Sequence, residues 1–248
     1  MKNGELIMNN GKLSGSITDE ELQQLTDKSS RDAEIVELYR QNDFLTAYGR
    51  HTDMRVKEDP QLAIGGEWET YGNIQRDFLI AQGLRPHHRL LDVGCGTGRL
   101  ARVVVRGLHA GNYVGLDISS EALAHARQLS QIEGWASKNP LFDLLDVDDI
   151  YLSLCDRPAF DFAWAFSVFI HLPSEIVESM ISLVNLHLAP RGKFFFSYVP
   201  TKLPDNTRTG LKQFKHPLSF YEKLAGTFFS LVEVPWPGRQ RILKMERR

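Results

Sequence analysis

The chain has 248 residues, 42% of them hydrophobic, and carries 29 Lys and Arg against 31 Asp and Glu for a formal charge of −2. It is therefore long enough to bury a sizeable core, and it lacks the strong overall basic charge of a nucleic-acid binder. Its two cysteines, Cys95 and Cys155, have no metal-ligand spacing and suit a reducing compartment, where a disulfide framework would not persist.

Leu6 to Met8 is too short an apolar run for a signal-peptide core, and the longest run, Phe162 to Ile170, is about half of a spanning helix. A cytoplasmic protein without a membrane span is expected. Residues 1 to about 16 are rich in Asn, Gly and Ser without periodicity. A short helix is expected from Thr18, and a second from near Asp32 to Leu45, where Ile35, Leu38 and Tyr39 form one stripe. The polar stretch from Gly49 to Asp59 then leads to a boundary at Pro60. A further helix is expected over about Trp68 to Gln82, with Gly83 just past its end.

From Arg89 onward, short apolar runs alternate with amphipathic segments, which is the pattern of β-α units around a parallel sheet. Strands are expected at Leu90–Val93, Tyr113–Leu116, Leu141–Leu145, Phe160–Phe166 and Lys193–Val199. Helices are expected at Gly98–Arg106, Glu121–Gln131 and Ser174–Leu188. Leu231–Val234 and Ile242–Met245 flank Pro235-Trp236-Pro237-Gly238, so two final strands are joined by a turn with no helix between them. The expected fold is α/β: a doubly wound, seven-stranded, mostly parallel sheet with a terminal antiparallel hairpin. Residues 1–60 form an N-terminal helical cap and 61–248 the main domain.

The sharpest signal is Leu90-Leu91-Asp92-Val93-Gly94-Cys95-Gly96-Thr97-Gly98, a strand, an acid and spaced glycines before a helix. Glycine suits a turn with strained backbone angles against which a ligand lies closely. A dinucleotide fingerprint would want its third glycine at the position held by Arg99, with Gly98 one residue early. The Asp92 carboxylate gains a partner from a ligand ammonium and would repel a pyrophosphate. S-adenosylmethionine (SAM) carries such an ammonium.

Residues 90 to 98 resemble motif I of the class I SAM-dependent methyltransferases, and the order of the later elements is similar to that family through about residue 245. The resemblance implies that Gly94, Gly96 and Gly98 line the methionine moiety and that Asp92 orients its amino group. In Val114-Gly115-Leu116-Asp117-Ile118-Ser119, an acid at the end of strand two can accept both ribose hydroxyls; the family implies this for Asp117, with Ile118 against the adenine. After strand three the resemblance points to Asp146 for the adenine amino group and to the Val147 amide, with Asp143 and Asp148 as rivals in register. The segment Asp161 to Pro173 resembles the stretch after strand four of small-molecule methyltransferases, which passes beside the sulfonium methyl, so Ser167 counts with the cofactor residues.

His171 is the one obvious proton acceptor there. An imidazole can take a proton from an acceptor hydroxyl or amine near neutral pH; the alternative is a packing or capping role. Trp68 and Tyr71, three apart before motif I, form either a lid over the cofactor or ordinary core contacts. No Asn/Asp/Ser-Pro-Pro-aromatic tetrapeptide follows strand four, and no acid ends that strand as in the magnesium-dependent catechol-type enzymes. Glu175 and Glu178 are closer together than the paired glutamates of arginine methyltransferases.

The expectation is metal-independent methyl transfer to a small-molecule acceptor, with oxygen favoured. Two basic groups, Arg50, Arg55 and Lys57, and Lys202, Arg208, Lys212, Lys215 and His216, favour an anionic acceptor if both overhang the carboxyl end of the sheet. The alternatives are a methyltransferase acting on protein or nucleic acid, and a non-catalytic scaffold of the same fold. The sequence leaves the oligomeric state open.

Overall fold

The computed structural model describes residues 33–145, 159–227 and 229–247. The helix expected from Thr18, and Asp146 and Val147, lie outside the described residues. The N-terminal part is built from α1 (Ala33–Gln41), α2 (Phe44–Glu58), α3 (Pro60–Ala63) and α4 (Trp68–Ala81). The helix expected from Asp32 to Leu45 is thus two. Asp43 adopts an extended backbone and its carboxylate accepts the Thr46 amide at 3.0 Å, which ends α1 and caps α2. The polar stretch after Gly49 is the second half of α2. Its boundary lies at Asp59, whose carboxylate accepts the Gln61 and Leu62 amides while Pro60 takes the first position of α3.

The alternating part runs β1 (Leu90–Val93), α5 (Ala101–Val104), β2 (Tyr113–Asp117), α6 (Ser120–Ile132), β3 (Leu141–Leu144), β4 (Phe160–Ala165), α7 (Ser174–His187) and β5 (Leu188–Tyr198). After it come β6 (Thr207–Gly210), β7 (Gln213–Lys215), α8 (Leu218–Ala225), β8 (Phe229–Val234) and β9 (Arg241–Arg247). Seven strands form one sheet in the order β3-β2-β1-β4-β5-β9-β8. The pairings are parallel from β3 to β5 and antiparallel at β5–β9 and β9–β8. The expected sheet and terminal hairpin are both present.

Three expectations need correction. The helix after β1 is one turn, Ala101–Val104, continued by a 3-10 turn over Val105–Gly107; the β-branched run Val103-Val104-Val105 and Gly107 disfavour a longer one. β5 starts at Leu188, directly where α7 ends, instead of at Lys193. The segment from Pro200 to Pro217 contains the β6–β7 hairpin, and α8 follows it; neither was expected.

Strand alternation divides the core between the two faces of the sheet. Leu91, Val93, Ala163, Phe194 and Phe196 pack with α1, α2, α7 and α8 on one side. Leu90, Phe162, Trp164 and Phe195 pack with α4, α5 and α6 on the other. Covering both faces explains why β4 and β5 are apolar almost throughout.

The N-terminal helices are anchored by Asp53 on α2. Its carboxylate accepts the Ser119 hydroxyl at 2.6 Å and the Glu121 amide at 3.1 Å, while Ser119 Oγ itself accepts the Ala122 amide and caps α6. Replacing Asp53 by Ala should therefore lower stability by about 1 to 2 kcal/mol, the range for a lost cap and buried hydrogen bonds. Denaturant unfolding measures this, and an unchanged midpoint would show that α2 is held elsewhere.

Candidate active site

Parallel strands β1 and β4 lie side by side, but the chain leaves β1 toward α5 on one face and β4 toward α7 on the other. A crevice opens at the carboxyl ends of strands that diverge in this way. A cavity of about 380 Å³ lies there.

Its floor is the turn after β1. Gly94 and Gly96 have φ of 70° and 56°, in the left-handed region that glycine occupies without strain. A Cβ at Gly94 would collide with Val168 Cγ2, and one at Gly96 would come within 2.7 Å of Ile64 Cγ2. Gly98 also has a positive φ, but its Cβ position faces Ala126 of α6 at 3.2 Å and it does not line the cavity. It lets α6 approach the turn, so its expected place beside a ligand is not what the geometry gives.

Asp92, next to last in β1, and Asp117, the last residue of β2, lie on adjacent strands and both line the cavity. Asp117 accepts the Gly96 amide at 2.8 Å and the Ser119 amide at 2.9 Å; burial pushes its carboxyl above the usual range and the amides oppose the shift. Asp92 accepts the Tyr113 hydroxyl at 2.6 Å. Burial pushes its pKa up to about 7, against the Tyr113 bond, with the nearby Asp117 charge adding to the rise and Arg99 opposing it. Ile118, beside Asp117, lines the same space.

After β4, Ser167 stands in the cavity wall with φ 60°; its amide donates to Ser197 Oγ at 2.7 Å and its hydroxyl accepts from Gln240. His171 lies on a 3-10 turn over Phe169–His171, with Nδ1 2.7 Å from the Lys212 carbonyl. A carbonyl only accepts, so Nδ1 carries the proton and Nε2 keeps its lone pair. Burial lowers the His171 pKa to about 4, with the Lys212 ammonium acting the same way and the carbonyl bond opposing it. The ring is neutral at pH 7.

Trp68 and Tyr71 do not line the cavity. Trp68 is buried, and Tyr71 packs on Phe166 with centroids 5.6 Å apart and lies under the Arg99 guanidinium. The cavity is lined instead by the turn Leu62–Gly65 and by Gln75, two turns beyond Trp68 on the same helix. The sequence reading missed Gln75 and also Tyr48 and Thr52 of α2. A helix whose polar residues face a cavity shows no apolar stripe there, so periodicity had no signal to offer.

Of the two basic groups, only one member of each reaches the site. Arg55 and Lys212 line it. Lys57 pairs with Glu121, Arg50 bonds Asn42, and His216 bonds Asp205 and the Leu172 carbonyl, while Arg208 lies over the Tyr39, Phe44 and Phe214 rings. Arg55 is paired with Glu58 at 3.0 Å. Among the described residues, no carboxylate lies within ion-pair distance of the Lys212 ammonium, which sits over the Tyr48 ring at 5.6 Å. Burial lowers its pKa, and Arg55 adds to that.

Comparison with known proteins agrees with this geometry. Residues 91–194 match the family described as a methyltransferase domain. A sterol 24-C-methyltransferase of Gibberella zeae is 30% identical over 127 residues, which is 50% of this chain and 31% of that protein. A ribosomal protein L11 methyltransferase of Cupriavidus necator is 41% identical over 69 residues, 28% of this chain and 22% of that protein. The matched part thus spans less than a third of these curated relatives. Among solved structures, magnesium protoporphyrin IX methyltransferase from Synechocystis with bound SAM superposes with a TM-score of 0.56 at 20% identity, covering 94% of this chain and 93% of that one.

Proposed function

We propose that this chain, which belongs by domain and fold to the class I SAM-dependent methyltransferases, transfers the methyl group of SAM to a small anionic acceptor with oxygen as the favoured nucleophile. The observation that carries the cofactor assignment is the pair of buried acids, Asp92 and Asp117, facing one cavity above a turn with no room for side chains. SAM has the groups this floor calls for: an ammonium for Asp92, ribose hydroxyls for Asp117 and an apolar ring for Ile118. Asp117 keeps lone pairs free after its two backbone bonds, because a carboxylate offers about four acceptor positions. Bound SAM supplies a methyl group already activated on a sulfonium, so the chain's main task is alignment and exclusion of water.

The relatives' names span a sterol and a ribosomal protein, so the acceptor is argued from the cavity. His171 presents a neutral imidazole whose Nε2 is free to accept a proton from an acceptor hydroxyl. The Lys212 ammonium, without a carboxylate partner among the described residues, attracts an anionic group on the same molecule, with Arg55 beside it. α2 contributes Tyr48, Thr52 and Arg55 to the cavity lining, which is the part we assign to the N-terminal cap.

Three outcomes test this. SAM affinity should rise as pH increases through about 7, because an ammonium favours the ionised Asp92 and binding releases its proton. Calorimetry in buffers of different ionisation enthalpy reads that proton, and Asp92→Asn should abolish it; pH-independent binding by the wild type would remove Asp92 from the ammonium site. His171→Ala should lower kcat by about 10²- to 10⁴-fold with SAM affinity retained. Since His171 is neutral above about pH 4, wild-type kcat should be level from about pH 5 upward, and a rise centred near 6.5 would contradict the burial of this base. Finally, small hydroxy acids and their neutral amides can be incubated with methyl-labelled SAM and the products weighed by mass spectrometry. The acids should be preferred, and Lys212→Met should raise their KM by roughly tenfold, the scale of one charge-assisted hydrogen bond. Equal use of the amides would refute the anionic acceptor.

A further inference from the structure

Gln75 is the buried polar group in the cavity wall that its own fold leaves incomplete. It is 2% exposed, and its Oε1 accepts the Trp164 indole N–H at 3.1 Å. An indole nitrogen only donates, so the amide orientation is fixed: Nε2 must face away from Trp164. That Nε2 is buried, has no hydrogen-bond partner among the described residues and belongs to a residue lining the cavity. Leaving a buried donor unmade is costly, so a ligand acceptor is called for.

Arg99 lines the same region. It donates through Nη1 to the Ile64 and Gly66 carbonyls, both at 3.2 Å, and lies over the Tyr71 and Phe166 rings. A guanidinium has five donors in a rigid fork, so this anchoring leaves others for a ligand. The two side chains stand on one aromatic platform: Gln75 bonds Trp164, Arg99 covers Phe166, and those rings are stacked with centroids 5.8 Å apart. Trp164 is also the strand neighbour of Asp92 across β1 and β4. An acid, an amide donor and a guanidinium therefore meet at one end of the cavity.

We propose that Gln75 and Arg99 bind the carboxylate of the SAM amino-acid group while Asp92 takes its ammonium. The proposal rests on the assignment of SAM as the cofactor. A zwitterionic head group satisfies Asp92, the Gln75 amide and the unused Arg99 donors together, whereas a simple cation would serve Asp92 and leave the buried Gln75 Nε2 without an acceptor. Gln75 and Arg99 would then act as specificity residues for the amino-acid end of the cofactor.

Calorimetric binding of SAM and of decarboxylated SAM, which keeps the ammonium and loses only the carboxylate, separates this contact from the rest of the site. Wild type should bind SAM about 10- to 100-fold more tightly than decarboxylated SAM, the scale of hydrogen bonds to a charged group. Gln75→Glu keeps an oxygen for the Trp164 indole but sets a negative charge against the carboxylate. It should weaken SAM by at least that factor and leave decarboxylated SAM unchanged or tighter. Arg99→Gln should narrow the same preference, and thermal unfolding of each variant reports that the fold is kept. Equal binding of the two compounds by wild type, or equal loss of both in a folded Gln75→Glu protein, would overturn the clamp and leave the cofactor intact. Failure of wild type to bind either compound would overturn the cofactor assignment and the clamp together.

Discussion

The Asp117 carboxylate accepts the Gly96 amide on one oxygen and the Ser119 amide on the other, and much of the site hangs from that joint. The Gly94 and Cys95 amides both reach the Leu116 carbonyl, at 2.8 and 3.0 Å, so the turn after β1 is folded back over the end of β2 by three amides. Those directions require the left-handed backbone at Gly94 and Gly96, and the same bend clears the space a ligand needs. Ser119, next along, is gripped by Asp53 of α2. Backbone geometry at one turn therefore fixes the cavity floor directly and, through Ser119, the helix that supplies Tyr48, Thr52 and Arg55 to its wall.

The charges in this cavity are arranged unevenly. Asp92 and Asp117 are buried close enough for the Asp117 charge to raise the Asp92 pKa, and Arg99, the cation that opposes the rise, is anchored to backbone carbonyls instead of to either acid. A cationic ligand relieves that crowding, which is the physical reason a buried acid near neutral pKa suits a binding role over a structural one. The same cavity is also lined by Lys212, Arg55 and the neutral imidazole of His171.

Motif I was legible in the sequence because its chemistry is consecutive: strand, acid, turn and helix follow one another within ten or so residues, and the sheet order follows from the alternation of apolar runs. Gly98 was misplaced because a positive φ and a ligand contact leave the same letter in the sequence, and here the glycine serves the approach of Ala126. The break at Asp43 was hidden by apolar spacing that runs through it, although Asp three residues before Thr46 is a cap signal. The β6–β7 hairpin has strands of four and three residues, too short to establish a period of two. Gln75 carried no local signal, since what marks it is a missing partner that only the packed fold reveals.

The position of Lys212 ties that hairpin to the cavity and to His171. It lies in the turn between β6 and β7, where a carbonyl ordinarily meets water; here the carbonyl faces His171 and selects which ring nitrogen carries the proton. The same residue sends its ammonium to the cavity wall. The hairpin is in turn fixed to the N-terminal helices, with Phe214 packed edge-on to Phe44 at 5.3 Å and Arg208 laid across both rings and Tyr39. The aromatic cluster therefore acts at a distance on the imidazole: if it loosened, the carbonyl would withdraw and either ring nitrogen could hold the proton. An aromatic contact between the N-terminal helices and the hairpin is thus as much a determinant of the His171 tautomer as the histidine's own neighbours.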